Sequence, residues 1–133
     1  MNPKYTIVAR RAGHRCEYCR APEVAFNFPF EVEHVTPVSL NGTDELSNLA
    51  LACRACNIRK GDSEFGVDES TGETVHLFHP RTSRWTEHFA LDQDSCELTG
   101  LTPSGRATIA ILDLNHPLQV AARELWRKLR IFP

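Results

Sequence analysis

Two pairs of cysteines with the spacing Cys-x-x-Cys dominate the first half of the chain. Cys16 pairs with Cys19 and Cys53 with Cys56, and 33 residues separate the two pairs. Zinc prefers four tetrahedral ligands, and two such pairs brought together supply four thiolates. A thiol oxidoreductase, the alternative interpretation, would need one pair only. The spacing therefore predicts a structural zinc site that makes the chain between the pairs fold back on itself.

A zinc ion held by four cysteines has no open position for a substrate. Any catalysis must therefore come from other residues. Cys96 has no partner in the sequence and is predicted to be an inert buried residue. The 133 residues suit one compact domain, 1–133, with a motif core at about 14–62 and a tail at 63–133. A core of that size is modest, so a zinc staple would add to its stability.

No apolar run is long enough to span a bilayer, and the N-terminus lacks the apolar segment of a secretion signal. A cytoplasmic location is expected, with no membrane partner, and reducing conditions there favour metal over disulfides. The net charge of −2 is unevenly distributed: +1 over residues 1–62, −6 over 63–99 and +3 over 100–133. A polyanion would therefore meet a local patch. The densest basic cluster comprises Arg10, Arg11, Arg15 and Arg20.

Periodicity and turn residues predict an α+β chain. We expect a helix over 4–13, a strand within 26–35 that contains Pro29, a short strand near 49–53 and a helix over 56–62. Three further strands, at 74–78, 85–91 and 96–101, would form an antiparallel meander. Two helices follow, one starting at Pro103 and one near Asn115. The apolar stripe of the last helix is expected to pack in the core: Leu118, Ala121, Ala122, Leu125 and Leu129.

Three polar residues near the cysteine pairs form a set with catalytic potential. The zinc would draw Asn57 towards the strand that carries Glu33 and His34. Carboxylate and amide oxygens suit a hard divalent cation, and an imidazole accepts a proton near neutral pH. An acid, a base and an amide oxygen around such a cation can cleave a phosphodiester.

The pattern E-H-x-x-P-x-S-x-x-G-T-D-x-x-S-N-L-x-x-x-C-x-x-C-N-x-x-K-G, within residues 15–62, resembles the HNH endonuclease family. The resemblance implies a small zinc-stapled ββα-metal, treble-clef-like core, here with an antiparallel β extension and C-terminal helices. It implies that His34 is the general base, that Glu33 and Asn57 hold a catalytic Mg²⁺ or Mn²⁺, and that Asn48 pins the loop beside the base. Cys16, Cys19, Cys53 and Cys56 match the zinc knuckles. Asn57, in place of histidine, favours a hard metal.

The function predicted on this basis is that of a metal-dependent DNA endonuclease. The alternative is a non-catalytic, zinc-stapled module that binds nucleic acid or protein. Residues 77–117 also resemble a tail found in many small bacterial members of the family. Five residues are expected to contact DNA: Arg15, Arg59, Lys60, Arg81 and His88. For Arg59 and Lys60, a solvated helix face is the alternative.

Overall fold

The computed structural model describes residues 1–133. Its helices are α1 (Tyr5–Arg11), α2 (Arg54–Lys60), α3 (Trp85–His88), α4 (Pro103–Leu112) and α5 (Pro117–Lys128). Its strands are β1 (Glu31–His34), β2 (Leu49–Ala52), β3 (Phe65–Asp68), β4 (Glu73–His76), β5 (Phe89–Leu91) and β6 (Leu98–Gly100). The strands form three antiparallel pairs, β1 with β2, β3 with β4 and β5 with β6. The fold is α+β, as the sequence predicts. A ββα unit made by β1, β2 and α2 is followed by two hairpins and two C-terminal helices.

Strand β1 presents alternate side chains to its two faces. Glu33 and Val35 are buried, whereas Val32 and His34 are partly exposed, as period-2 alternation predicts. All of β2 is buried, and His34 lies opposite Leu49 in the register. The acid and the base of the predicted site therefore leave the strand in different directions.

Helix α2 begins at Arg54, two residues before the predicted start. Cys53 is its N-cap, and the Cys53 thiol accepts a hydrogen bond from the Cys56 N–H at 3.5 Å. Cys53 is thus both the N-cap of α2 and a predicted zinc ligand, so one residue sets the start of the helix and contributes to the metal site. Gly61, with φ of +50°, ends the helix.

The predicted three-stranded meander is wrong in detail, because the tail contains two separate hairpins. Residues 85–88 form the helical turn α3, in which the Trp85 indole N–H donates to the Tyr18 carbonyl at 2.7 Å. Strand β3 was missed because its sequence contains glycine. A Cβ at Gly66 would lie 2.9 Å from the Ile111 side chain, so the close packing of β3 against α4 requires a residue without a side chain at position 66.

The two C-terminal helices differ in how well the sequence anticipates them. Thr102 caps α4, accepting from the Gly105 N–H at 3.0 Å, with Pro103 at the first helical position. The apolar stripe of α5 is not in the core, because Leu118 is 75% exposed and Leu125 and Leu129 are similarly exposed. Arg123 is buried instead. Its guanidinium donates to the carbonyls of Cys96 and Leu114, and Trp126, three residues later, packs against the core.

None of the five helices combines the length and the apolar character that crossing a bilayer would require.

Candidate active site and zinc centre

The four predicted zinc ligands converge inside the core. All four cysteines are buried and unpaired, and their sulfur atoms lie within 4.8 Å of one another. Tetrahedral bonds of about 2.3 Å place zinc-bound sulfurs about 3.8 Å apart, and the sulfurs of Cys19 and Cys53 are 3.7 Å apart. Hydrogen bonds from the other three thiols hold the pKa of Cys53 far below its ordinary value. The cluster therefore fits a structural zinc ion in the number, type and spacing of its ligands.

A separate cavity beside α2 contains the predicted catalytic residues. It has a volume of about 310 Å³, and Glu33, His34 and Asn57 all line it. Ser39 and Asp62 supply further polar groups. The structure therefore brings the acid, the imidazole and the amide to one place, although Glu33 and His34 point to opposite faces of β1.

Glu33 is held by two partners inside the protein. Its side chain is 6% exposed. It accepts a hydrogen bond from the Tyr18 hydroxyl and forms an ion pair with Lys60 at 3.3 Å. Burial raises the pKa of Glu33, while the Lys60 charge and the Tyr18 hydroxyl oppose that shift. A carboxylate offers about four lone pairs, so these two contacts leave acceptor capacity for a cation.

His34 is oriented by a carboxylate that the sequence analysis did not identify. Its Nε2 lies 3.1 Å from Oδ1 of Asp44. An ionised carboxylate only accepts hydrogen bonds, so Nε2 carries the proton and Nδ1 keeps its lone pair in the neutral ring. Lys4 and His34 lower the pKa of Asp44, which keeps it ionised. Hydrogen bonding therefore leaves Nδ1 as the basic atom.

Asn48 fastens the loop that carries Asp44. Its amide oxygen accepts from the Thr36 N–H at 2.8 Å, and its amide nitrogen donates to the carbonyls of Thr36 and Thr43 at 3.0 and 2.8 Å. Its own carbonyl accepts from the Val35 N–H at 2.9 Å. These bonds tie both ends of the loop to the end of β1, directly beside His34.

Asn57 contacts a second unpredicted carboxylate. Its amide nitrogen donates to Glu31, which also forms an ion pair with Arg54 at 2.8 Å. The Asn57 amide oxygen accepts no hydrogen bond within the protein and remains available as a ligand. Period-2 alternation could have found Glu31, because it shares a face of β1 with Glu33. Asp44 lies in a loop, where periodicity gives no signal, and only its fixed place in the family pattern marks it.

Residues 16–63 match the model of the HNH endonuclease family. The match covers about a third of the chain, and this segment is called the HNH domain. It includes the four cysteines and all the catalytic candidates, and it ends before β3. The matched family is one of endonucleases, whose substrates are nucleic acids. No curated protein and no solved structure matches the chain.

Two basic residues at the end of the HNH domain, which are predicted to contact DNA, have partners inside the protein. Lys60 is 2% exposed and donates to the Val35 carbonyl at 2.9 Å, in addition to its ion pair with Glu33. The predicted phosphate contact of Lys60 is therefore corrected, because its ammonium is the buried counter-ion of Glu33. Arg59 reaches the carbonyls of Leu112 and Asp113, both at 3.4 Å, and so joins the HNH domain to the end of α4.

The other three predicted DNA contacts also have partners inside the protein. Arg15 donates to the carbonyls of Arg20 and Ile131, at 3.2 and 2.9 Å. Arg81 forms an ion pair with Glu17, and burial followed by repulsion from Arg11 lowers the pKa of Arg81 to about 10. His88 is hydrogen-bonded to Thr102. These contacts connect the HNH domain to the tail or order the tail itself, and the DNA contacts of the three residues stay predictions.

Proposed function

We propose that the chain is a metal-dependent endonuclease that hydrolyses DNA phosphodiester bonds. The observation that carries the proposal is the shared cavity of Glu33, His34 and Asn57 within an HNH domain. The three side chains come from β1 and α2. Lys60 of α2 joins the two elements through its ion pair with Glu33 and its hydrogen bond to the Val35 carbonyl. Rigid elements of this kind hold catalytic groups more accurately than loops do.

His34 acts as the general base in this proposal. Its Nδ1 takes a proton from the attacking water, and the resulting imidazolium is stabilised by Asp44 at Nε2. Asp44 is a positioning residue, because it acts through the imidazole and does not contact the substrate. Asn48 keeps Asp44 in place by holding both ends of its loop.

Glu33 and Asn57 would hold a divalent cation. One carboxylate and one free amide oxygen are hard ligands, and they fit Mg²⁺ or Mn²⁺ better than a thiolate-binding metal. When bound, such an ion stabilises the negative charge that develops on the phosphate and on the leaving oxygen. Tyr18 and Lys60 keep the Glu33 side chain in a single orientation.

Plasmid cleavage tests this proposal. The zinc-loaded protein should convert supercoiled DNA to nicked or linear DNA with Mg²⁺ or Mn²⁺, and excess EDTA should stop the reaction. His34→Ala should lower the rate by a factor of about 100 or more, since general-base catalysis contributes about that much. The matched control is His14→Ala, which removes an exposed imidazole outside the cavity.

Zinc content and urea unfolding must be unchanged in both histidine variants for the comparison to count. A His34→Ala variant that cleaves at the parental rate would disprove the assignment of the base.

A non-catalytic nucleic-acid-binding module is the second candidate. The observation in its favour is that Glu33 already has a buried counter-ion in Lys60, as a site that binds no metal would show. Nucleic-acid binding without cleavage, under every divalent cation tried, would identify this second function.

A further inference from the structure

Arginine side chains surround a second cavity, outside the catalytic one. The cavity has a volume of about 350 Å³ and is lined by Arg11, Arg20, Arg84 and Trp85, among others. Arg11 lies just before the HNH domain and Arg20 lies within it, whereas Arg84 and Trp85 belong to the tail. The cavity therefore exists only because the tail packs against the HNH domain.

The positive charge of this cavity is not neutralised within the protein. Its one carboxylate, Glu17, is occupied by Arg81 and by the Leu51 N–H. Arg20 and Arg84 form no ion pair, and neither guanidinium donates a hydrogen bond. Two guanidinium groups that no carboxylate neutralises favour the binding of an anion.

Arg20 is held in position by an aromatic ring. Its guanidinium lies 5.2 Å from the centre of the Trp85 ring. The Trp85 indole N–H is fixed on the Tyr18 carbonyl, and its ring also packs on Phe89 at 5.1 Å. Trp85 is thus engaged within the protein and unsuited to stacking on a nucleobase. It orients a planar guanidinium that can bind phosphate through two hydrogen bonds.

The arginine cavity lies beside the strand that pairs with β1. Arg11, which lines this cavity, donates to the carbonyl of Leu49, and Leu49 lies opposite His34 in the register of β1 and β2. A third cavity, with a volume of about 240 Å³, shares Phe78 and Ser83 with the arginine cavity. An arginine of the cavity therefore contacts the strand partner of the predicted base.

We propose that Arg20 and Arg84 bind a backbone phosphate of the nucleic-acid strand whose scissile phosphate lies beside His34. The position of the scissile phosphate rests on the proposed function. A free phosphate or pyrophosphate has the same chemistry, but the contact of Arg11 with the strand partner of His34 places the arginine cavity beside the catalytic residues, which favours a nucleic-acid strand that reaches both. The tail thereby gains a function, which is to supply Arg84 and the ring that orients Arg20.

Fluorescence anisotropy of a labelled DNA duplex tests this site in the full-length, zinc-loaded protein, without added divalent cation so that cleavage does not interfere. Arg20→Gln and Arg84→Gln should each weaken binding about fivefold to tenfold at moderate salt. Each should also lower the slope of log affinity against log salt by about 1, the effect of losing one phosphate contact. Arg10→Gln is the matched control, because Arg10 is exposed and lies outside all three cavities.

Equal salt slopes for Arg84→Gln and Arg10→Gln would overturn the inference. Arg84 is exposed, so Arg84→Gln is expected to fold even if Arg20→Gln does not. A loss of pyrophosphate binding in Arg84→Gln with unchanged duplex binding would also overturn it, by showing a small-anion site. The plasmid assay separates the two proposals. Cleavage by the parent with parental duplex binding in Arg84→Gln refutes only this site. A lowered salt slope in Arg84→Gln, together with a parent that never cleaves, refutes only the proposed function.

Discussion

Replacing Asn48 removes the fastening of the loop that carries Asp44. The side chain is 8% exposed and makes three hydrogen bonds to backbone groups of Thr36 and Thr43. A buried hydrogen bond contributes about 1 kcal/mol net, so Asn48→Ala should lower the free energy of unfolding by about 3 kcal/mol. That is a large part of the 5–15 kcal/mol typical of a domain. Cleavage should fall as well, since Asp44 loses its fixed position beside His34.

Asn48→Asp is the sharper variant because it keeps the shape of the side chain. Its carboxylate can still accept from the Thr36 N–H, but it cannot donate to the two carbonyls and places a negative charge against them. We therefore expect Asn48→Asp to be less stable than Asn48→Ala at pH 7, because an unpaired buried charge costs several kcal/mol.

Urea unfolding in zinc-containing buffer, followed by tryptophan fluorescence, gives the free energies of these variants. Gln119→Ala is the matched control, since the Gln119 side chain makes no hydrogen bond and its loss should be neutral. An Asn48→Asp variant as stable as the parent would refute the reasoning, because it would mean that the two donated hydrogen bonds have no energetic value.

Two further predictions concern the zinc centre and the tyrosines. Cys53→Ser should abolish the cooperative unfolding of the motif region, because structural zinc contributes about 10 kcal/mol or more to folding. Elemental analysis should show less than one zinc per chain, and circular dichroism should show lost structure. Retained zinc with an unchanged melting curve would contradict this prediction. Burial, followed by the hydrogen bond to Glu23, raises the pKa of Tyr5 to about 12, and burial raises the pKa of Tyr18 further above its ordinary value. A pKa raised in the folded state contributes stability that is complete below the unfolded value of about 10 and is lost as the pH rises through the folded value. Tyrosinate absorbance should therefore be nearly absent at pH 10 in the folded protein, and appearance of half the signal there would refute these environments.

The zinc centre and the catalytic candidates could be read from local spacing. Two Cys-x-x-Cys pairs are sufficient to predict a tetrahedral site, and alternation along β1 correctly separates Glu33 from His34. The capping of α4 by Thr102 is likewise local, because an N-cap bond spans only three residues. Predictions of this kind depend on neighbours in the sequence, and the sequence contains them.

The roles of charged side chains could not be predicted in the same way. The helix position of Lys60 suggests exposure, but its ammonium is buried because Glu33, on a strand distant in sequence, needs a counter-ion. In α5 the charged Arg123 is buried and the apolar stripe is exposed for a similar reason, because carbonyls of the preceding loops need a hydrogen-bond donor. The partner of a buried charge is set by packing, and no local pattern specifies it.

The sequence alone determines that four thiolates must meet and that an acid, an imidazole and an amide belong to the segment they enclose, because ligand type and spacing are properties of the chain. Only the tertiary structure places Asp44 on His34, Lys60 on Glu33, and the arginines of the first 20 residues beside Arg84 of the tail. These contacts depend on how separate elements pack, and they define the electrostatics of the site.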